Sequence, residues 1–399
     1  MKKILENGIV IHSFDLPDTK SVTVLLSLYG GAAWEKRSQK GITHLVEHLC
    51  LRRVAGKKQS DIYYDIESVG GILRAVTYRD RVVFEITLPK EHLLRALSFL
   101  RDMFEDNGWT NEDIRREKAV VCREIASSGD WCYKRMIYNF FDEQPQGDYI
   151  CGTESKVKRF SKNDLVKWKD RLFCTEGTEI VVAGVKTDIP EKLFGDLETK
   201  KQTFCEDISP KYFLCREECD DRIYTYDSNR LWVVLNFDIP KEYIKCARLL
   251  KDTLCGNLYS PFLLTLREEL GLIYEVFADV QEYTFGGLMY FMFEVDSDKV
   301  KHFTEQLATI IAQEKNCLCK KSFECAYAYM NDGYKSLSDM AYSVFCNSME
   351  LTYEEVAGSA KTIFKPENMR VMFYDVPEDT ADSLKGMSKI LRNKLEKDI

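Results

Sequence analysis

Two histidines and a glutamate fall within five residues, in the stretch His44-Leu45-Val46-Glu47-His48. On a helix, side chains at i and i+4 stand one above the other, so this spacing lets two imidazoles grip one metal ion. Glu47, between them in sequence, is then held beside any water that the ion binds. The order is H-x-x-E-H, and the chain has only five histidines from which to build it. Ile42, Leu45, Val46 and Leu49 follow the i, i+3, i+4, i+7 rule and predict one apolar stripe. His44, Glu47 and His48 fall on the opposite side of that helix, free to line a cleft.

A catalytic metal site needs a third protein ligand and one open position. Residues 111–127 read NEDIRREKAVVCREIAS, without glycine or proline, and predict a helix. Glu117, Val120, Val121 and Glu124 share one face of it. Valines argue that this face is buried, and carboxylates on a buried face need a partner. A nearby cation would supply one. Pairing with Arg116, Lys118 or Arg123 on an exposed helix would serve as well, so the periodicity alone does not choose.

Together these motifs resemble the pitrilysin/insulinase family of inverted-motif zinc metallopeptidases, in its half-length bacterial branch. The order runs through Asn7-Gly8, the strand Ser21–Leu28, Gly30-Gly31 with Glu35, and Gly41 ahead of His44–His48. Ser68-Val69-Gly70-Gly71, Ala75-x-Thr77, Glu117 and Glu124 follow. The resemblance implies one Zn2+ per chain, held by His44, His48 and Glu124, with Glu117 supporting the site without clearly ligating. It also implies Glu47 as the general base of a metalloendopeptidase. Leu266-Arg267-Glu268-Glu269-Leu270-Gly271-Leu272-Ile273-Tyr274 is similar to a second family segment. There the arginine and the tyrosine reach a bound peptide near the scissile bond. A guanidinium fork suits carbonyl oxygens, and a tyrosine hydroxyl suits a developing oxyanion.

By the same resemblance, peptide substrates add as a strand to a sheet edge, here Ile72–Thr77. Arg74-Ala75 stands where the family usually has Asn-Ala, which puts charge and bulk at an expected substrate-binding position. Family members enclose short or unfolded peptides in a chamber of four such domains. A chain that supplies two is expected to pair, as a homodimer or as a heterodimer with a related subunit. The alternative function is a catalytically silent peptide-binding or companion subunit.

Composition is compatible with this reading. At 399 residues the chain is too long for one ordinary core, and two domains are expected, 1–200 and 215–399. The first would be the zinc-binding catalytic domain and the second a homologous domain carrying Arg267 and Tyr274. A net charge of −8 disfavours nucleic acid as a partner. No apolar run reaches the length of a membrane span. The start lacks the apolar core of a signal peptide, so a cytoplasmic setting with reduced thiols is expected for the 14 cysteines. Cys50, close to His48, points off the ligand face.

Strands near 22–28, 81–88 and 179–184 and helices near 41–54 and 90–105 are expected in the first half. Strands near 231–237, 288–295 and 369–374 and helices near 241–254 and 298–313 answer them. The offset of about 190 to 210 residues reads as a weak internal repeat. The expected fold is α+β: two homologous domains, each a mostly antiparallel sheet covered by helices, joined by a linker near 186–222.

Overall fold

A computed structural model describes all residues except 106–107, 128–131, 142–146, 205–221, 226–229, 284, 333–335, 347–350 and 397–399. The first eight strands are β1 (Lys2–Ile4), β2 (Val10–Asp15), β3 (Ser21–Tyr29), β4 (Arg53–Val54), β5 (Lys57–Lys58), β6 (Ile72–Thr77), β7 (Arg81–Pro89) and β8 (Thr178–Gly184). They are followed by β9 (Arg222–Thr225), β10 (Arg230–Ile239), β11 (Val276–Tyr283), β12 (Gly286–Asp296) and β13 (Met369–Val376). The helices used below are α1 (Ile42–Arg52), α2 (Gln59–Glu67), α3 (Leu93–Asp102), α4 (Asn111–Ser127) and α5 (Cys132–Phe140). Next come α6 (Glu154–Arg159), α7 (Lys162–Leu172), α8 (Ile189–Phe194), α9 (Ile244–Cys255), α10 (Val300–Asn316), α11 (Lys320–Asp332) and α12 (Leu337–Cys346).

Two compact units result, and neither is a contiguous half of the chain. Unit 1 comprises Met1–Trp131, Phe141–Ile208 and Lys335–Cys346; unit 2 comprises Cys132–Phe140, Ser209–Tyr334 and Asn347–Ile399. Each unit thus takes one helix from the other half of the sequence, α12 in unit 1 and α5 in unit 2. Part of the expected linker is ordered in unit 1. There α8 forms, and Asn7 donates its amide to the carbonyls of Phe194 and Leu197. Residues 205–221 of that linker lie outside the described residues.

Unit 1 is built on a six-stranded sheet in the order β1-β2-β8-β3-β7-β6. Its neighbours pair antiparallel except β2 and β8. Alternation along β3 sends Val22, Val24, Leu26 and Leu28 into one core with Leu45, Val46 and Leu49 of α1. Full burial of each such side chain stabilises by about 1.5–3 kcal/mol at most. The opposite face is also covered. Leu25, Val83, Val181 and Ala183 pack with Ala341, Tyr342, Val344 and Phe345 of α12. A strand buried on both faces needs apolar residues on both, which accounts for the nearly unbroken run in β3.

Unit 2 repeats the plan. Its sheet runs β11-β12-β10-β13-β9, the order of β6-β7-β3-β8-β2 in unit 1, with the single parallel pair at the matching place. The helix after its central strand is α9, as α1 follows β3. Within this unit a buried pair, Arg370 Nη1 to Asp238 Oδ1 at 2.9 Å, lies under Phe140 of α5, whose ring is 4.2 Å from the guanidinium carbon. The fold is therefore α+β with two similarly wound sheets.

Candidate metal centre

The start of α1 is clamped before any chemistry is considered. Gly41, its N-cap, has φ of 94°, which a side-chain-bearing residue rarely adopts. Glu35, fully buried, accepts hydrogen bonds from the Gly41 and Thr43 backbone amides at 2.8 Å each. It so satisfies two of the donors a helix N-terminus leaves open. Burial nonetheless pushes its carboxyl up to about 7. Trp168 of α7 donates its indole N–H to Thr43 Oγ1 at 3.0 Å and closes the collar.

α1 is buried on more than its predicted stripe. His44 is 9 % and Glu47 6 % exposed, because their side faces α4 and β6 within the unit. The two rings lie edge to face with centroids 4.6 Å apart. His44 Nε2 is 3.1 Å from Glu124 Oε2, and His48 Nε2 is 3.6 Å from the same oxygen. Ligand atoms about 2.0–2.1 Å from a tetrahedral zinc are separated from one another by roughly 3.3 Å. The two spacings bracket that value for each imidazole against Glu124, and two imidazoles with a carboxylate are donors that suit zinc; among the described residues, the group whose ligand atoms all lie within 4.8 Å of one another is His44, Glu124 and Cys151.

The outer ring nitrogens are occupied as well. His48 Nδ1 lies 3.2 Å from Glu117 Oε2, and His44 Nδ1 3.4 Å from Glu47 Oε2. An acceptor at the outer nitrogen fixes the tautomer and aims the other nitrogen inward. Glu117 is itself buried and compensated by Arg52, whose Nε is 3.6 Å from Oε1. Among the described residues, neither acid pairs with Arg116, Lys118 or Arg123, the partners suggested from sequence. Arg116 pairs with Glu112, and Lys118 reaches the carbonyls of Lys158 and Phe160.

Charge is coupled throughout the cluster. Burial lowers the imidazoles, but hydrogen bonds to Glu117 and Glu124 push His48 up to about 9. Hydrogen bonds to Cys151, Glu124 and Glu47 push His44 up to about 12. Hydrogen bonds from both rings hold Glu124 well below the usual carboxylate range. The pocket thus favours positive charge between its nitrogens and Glu124, which a proton or a metal can supply.

Glu47 accepts a hydrogen bond from Thr77 Oγ1 at 2.8 Å. That bond ties the helix to β6, the edge strand of the sheet. Alternation puts Ala75 on the same face as Thr77 and turns Arg74 to the opposite face, where it is exposed. The charge of Arg74 is therefore not presented on the side of Glu47. Arg267 and Tyr274 belong to unit 2. Arg267 lies in a π-helix, Phe262–Glu269, with its guanidinium carbon 5.3 Å from the Tyr274 ring centre. The Tyr274 side chain is largely exposed.

Sequence reasoning passed over one residue that stands in this cluster. Cys151 Sγ lies 3.5 Å from Glu124 Oε1. It sits in a loop without periodicity, distant in sequence from both helices, so no pattern marks it. Glu35 and Thr77 were part of the motif but had no role until their partners were visible. Cys50 is fully buried, and burial raises its thiol to about 12.

The family profile described as "Insulinase (Peptidase family M16)" matches residues 10–144, which hold the whole histidine–glutamate cluster. The profile described as "Peptidase M16 inactive domain" matches residues 159–327. An "Uncharacterized zinc protease" of Rickettsia bellii is 24% identical over 319 residues, 76% of this chain and 75% of that one. The "Mitochondrial-processing peptidase subunit beta" of Saccharomyces cerevisiae is 28% identical over 194 residues, 47% of this chain and 41% of its own. The crystal structure of a protease from Helicobacter pylori superposes with a TM-score of 0.76 at 17% identity, covering 94% of this chain and 98% of that one. Two adjoining family profiles, met in order and carried by the repeated sheet, make the chain a member of peptidase family M16, the insulinase/pitrilysin family.

Proposed function

We propose that this chain is a zinc-dependent endopeptidase for short or unfolded peptides, with one Zn2+ per chain held by His44, His48 and Glu124. The observation that carries the reading is the convergence of two Nε2 atoms on Glu124 Oε2 at spacings suited to a tetrahedral ion. The chemistry that a zinc ion supplies in such a site is an acidified water and a polarised carbonyl. Glu47 acts as the general base: it takes the proton of the attacking water and returns it to the leaving amine. Thr77 orients Glu47 through its hydroxyl, and Glu117 holds His48 in the ligating tautomer.

The peptide adds to the edge strand β6, whose last residue is bonded to the base. Ala75 then faces the reacting bond, while Arg74 contributes main-chain pairing and an exposed charge on the far face. By the family resemblance, Arg267 and Tyr274 of the paired chain would bind the peptide near the scissile bond, with the tyrosine hydroxyl donating to the oxyanion. Two chains together would supply four such domains, as a closed homodimer. A pair with a related subunit is the variant suggested by similarity to a protein named as a subunit.

A second reading, a silent companion subunit, draws on the match of residues 159–327 to the profile described as inactive. The absence of histidine from α9 limits that description to the second site of the repeat. Cleavage of a generic unfolded peptide separates the two readings. The zinc-loaded chain should hydrolyse it and lose the activity to chelation. Glu47→Gln should keep its zinc and lose turnover. A Glu47→Gln chain as active as wild type would overturn the endopeptidase mechanism.

A further inference from the structure

We propose that Phe204 is a positioning residue for the metal centre: its ring braces both the segment that presents His44 and the segment that presents Thr77, the hydrogen-bond partner of Glu47. The inference rests on the metal-centre reading above.

Residues 200–204 fall in the stretch expected to be a linker, yet they are tied to unit 1 along their length. The Lys200 amide donates to Thr175 Oγ1 at 2.8 Å, and the Lys200 carbonyl accepts from the Glu176 amide at 3.1 Å. Gln202 donates its backbone amide to Glu176 Oε2 at 3.0 Å and its side-chain amide to the Tyr29 carbonyl at 3.1 Å. Its side-chain oxygen accepts from the Phe204 amide at 2.9 Å. Arg171 of α7 clasps the end of this strap. Its Nε is 3.2 Å from Thr203 Oγ1, and its guanidinium carbon is 4.0 Å from the centre of the Phe204 ring. Phe204 is left only 2 % exposed.

The ring touches two supports of the centre. On one side it meets Trp168 edge to face, with centroids 5.5 Å apart, and Trp168 is the indole that donates to Thr43 Oγ1. Thr43 immediately precedes His44. On the other side the ring fills a notch over Gly30, where φ is 111° and any Cβ would collide with it. The loop that begins at Gly30 is bonded to the chain just beyond β6. The Ala32 amide donates to the Tyr78 carbonyl at 3.2 Å, and the Ala33 amide to the Arg79 carbonyl at 2.9 Å. Tyr78 follows Thr77, whose hydroxyl holds Glu47. One side chain thus stands behind the start of the histidine helix and behind the end of the strand that orients the base. Close-packed interiors transmit displacement, so loss of the ring shifts both. Phe204 touches neither metal nor peptide, and its effect belongs in zinc affinity and kcat rather than in KM.

Full-length variants compared by zinc titration, thermal unfolding and hydrolysis of an unfolded peptide test this. Phe194→Ala is the control, because Phe194 is fully buried in the same core but packs on Phe104, with centroids 6.1 Å apart. Both alanine variants should unfold at lower temperature. Phe204→Ala should in addition bind zinc about 10-fold more weakly, the lower end of the penalty for losing an outer partner of a ligand. Its kcat should fall about 10–100-fold at nearly unchanged KM, as for a small misplacement of reacting groups. Phe194→Ala should keep wild-type zinc affinity and kcat. Phe204→Leu, which retains part of the apolar bulk, should fall between wild type and Phe204→Ala, and it carries the test if the alanine variant does not fold. Equal loss of zinc affinity in Phe194→Ala and Phe204→Ala would make Phe204 an ordinary core residue and overturn the proposal. Wild-type zinc affinity in the Phe204 variants would overturn it as well, and either result leaves the His44–His48–Glu124 centre standing. The zinc arm decides the proposal independently of any peptidase activity. A wild-type chain that binds no zinc would overturn the centre and this inference together.

Discussion

At the scale of single residues, the spacing of His44 and His48 puts both rings on one side of a helix and is what first suggested the proposed metal site, because i and i+4 leaves little choice of direction. The role of Glu47 followed from its place between them. Periodicity left Glu117 and Glu124 together on one face of α4, and the choice of Glu124 came from the family resemblance. Rotation of the histidine rings makes the distinction: Glu117 meets an Nδ1, whereas Glu124 meets both Nε2 atoms. Removing the base by Glu47→Gln is expected to lower turnover by about 10²–10⁴-fold. Metal content, measured on the same sample, should not change. The raised His44 and His48 carry a pH consequence. Their contribution to stability is fully present below the ordinary imidazole value near 6.5 and is lost as pH rises through about 9 and about 12. Metal must displace those same protons, so its affinity rises with pH across that window.

At the scale of elements, alternation and helical period located most of the pieces. The strand expected near 22–28 is Ser21–Tyr29, that near 81–88 is Arg81–Pro89, and the acidic helix is Asn111–Ser127. What periodicity does not encode is which distant segment covers a face. The outer face of β3 meets α12, more than 300 residues later in the chain, and nothing in the pattern of either points to the other. The clamp at the start of α1 was equally hidden: a Cβ on Gly152 would lie 2.3 Å from the Lys40 carbonyl oxygen and one on Gly41 2.5 Å from that of Cys151, a closeness that no sequence pattern marks. Their close approach predicts a graded result. Gly152→Ala combines a left-handed backbone, costing about 1–2 kcal/mol, with a collision against the Lys40 carbonyl. Gly70→Ala, at φ of 78° with nothing within 4 Å, bears the backbone cost alone. Thermal unfolding midpoints should therefore fall further for Gly152→Ala than for Gly70→Ala. Equal losses would remove the clamp from the account.

At the scale of the molecule, the chain is one sheet plan used twice, with the histidine-bearing helix in the first copy. In the second, α9 occupies the corresponding place without a histidine, and the unit offers Arg267 and Tyr274 instead. The internal repeat was legible as an offset in sequence, and the matching strand orders explain it. The exchange of α5 and α12 between the units was not, because contiguous halves are the simplest division of any chain. Assembly follows from the domain arithmetic of the proposed chamber. Sedimentation should give a species of twice 46.4 kDa for the purified chain. A monomer at working concentration would argue for a separate partner subunit. The whole account depends on three side chains from two helices sharing one ion, and equilibrium zinc titration of the chelator-stripped chain addresses this most directly. The account predicts one equivalent of zinc bound by the wild-type chain and binding weakened at least about 10–100-fold by Glu124→Ala. No stoichiometric zinc in the wild-type chain, or undiminished affinity in Glu124→Ala, would contradict it.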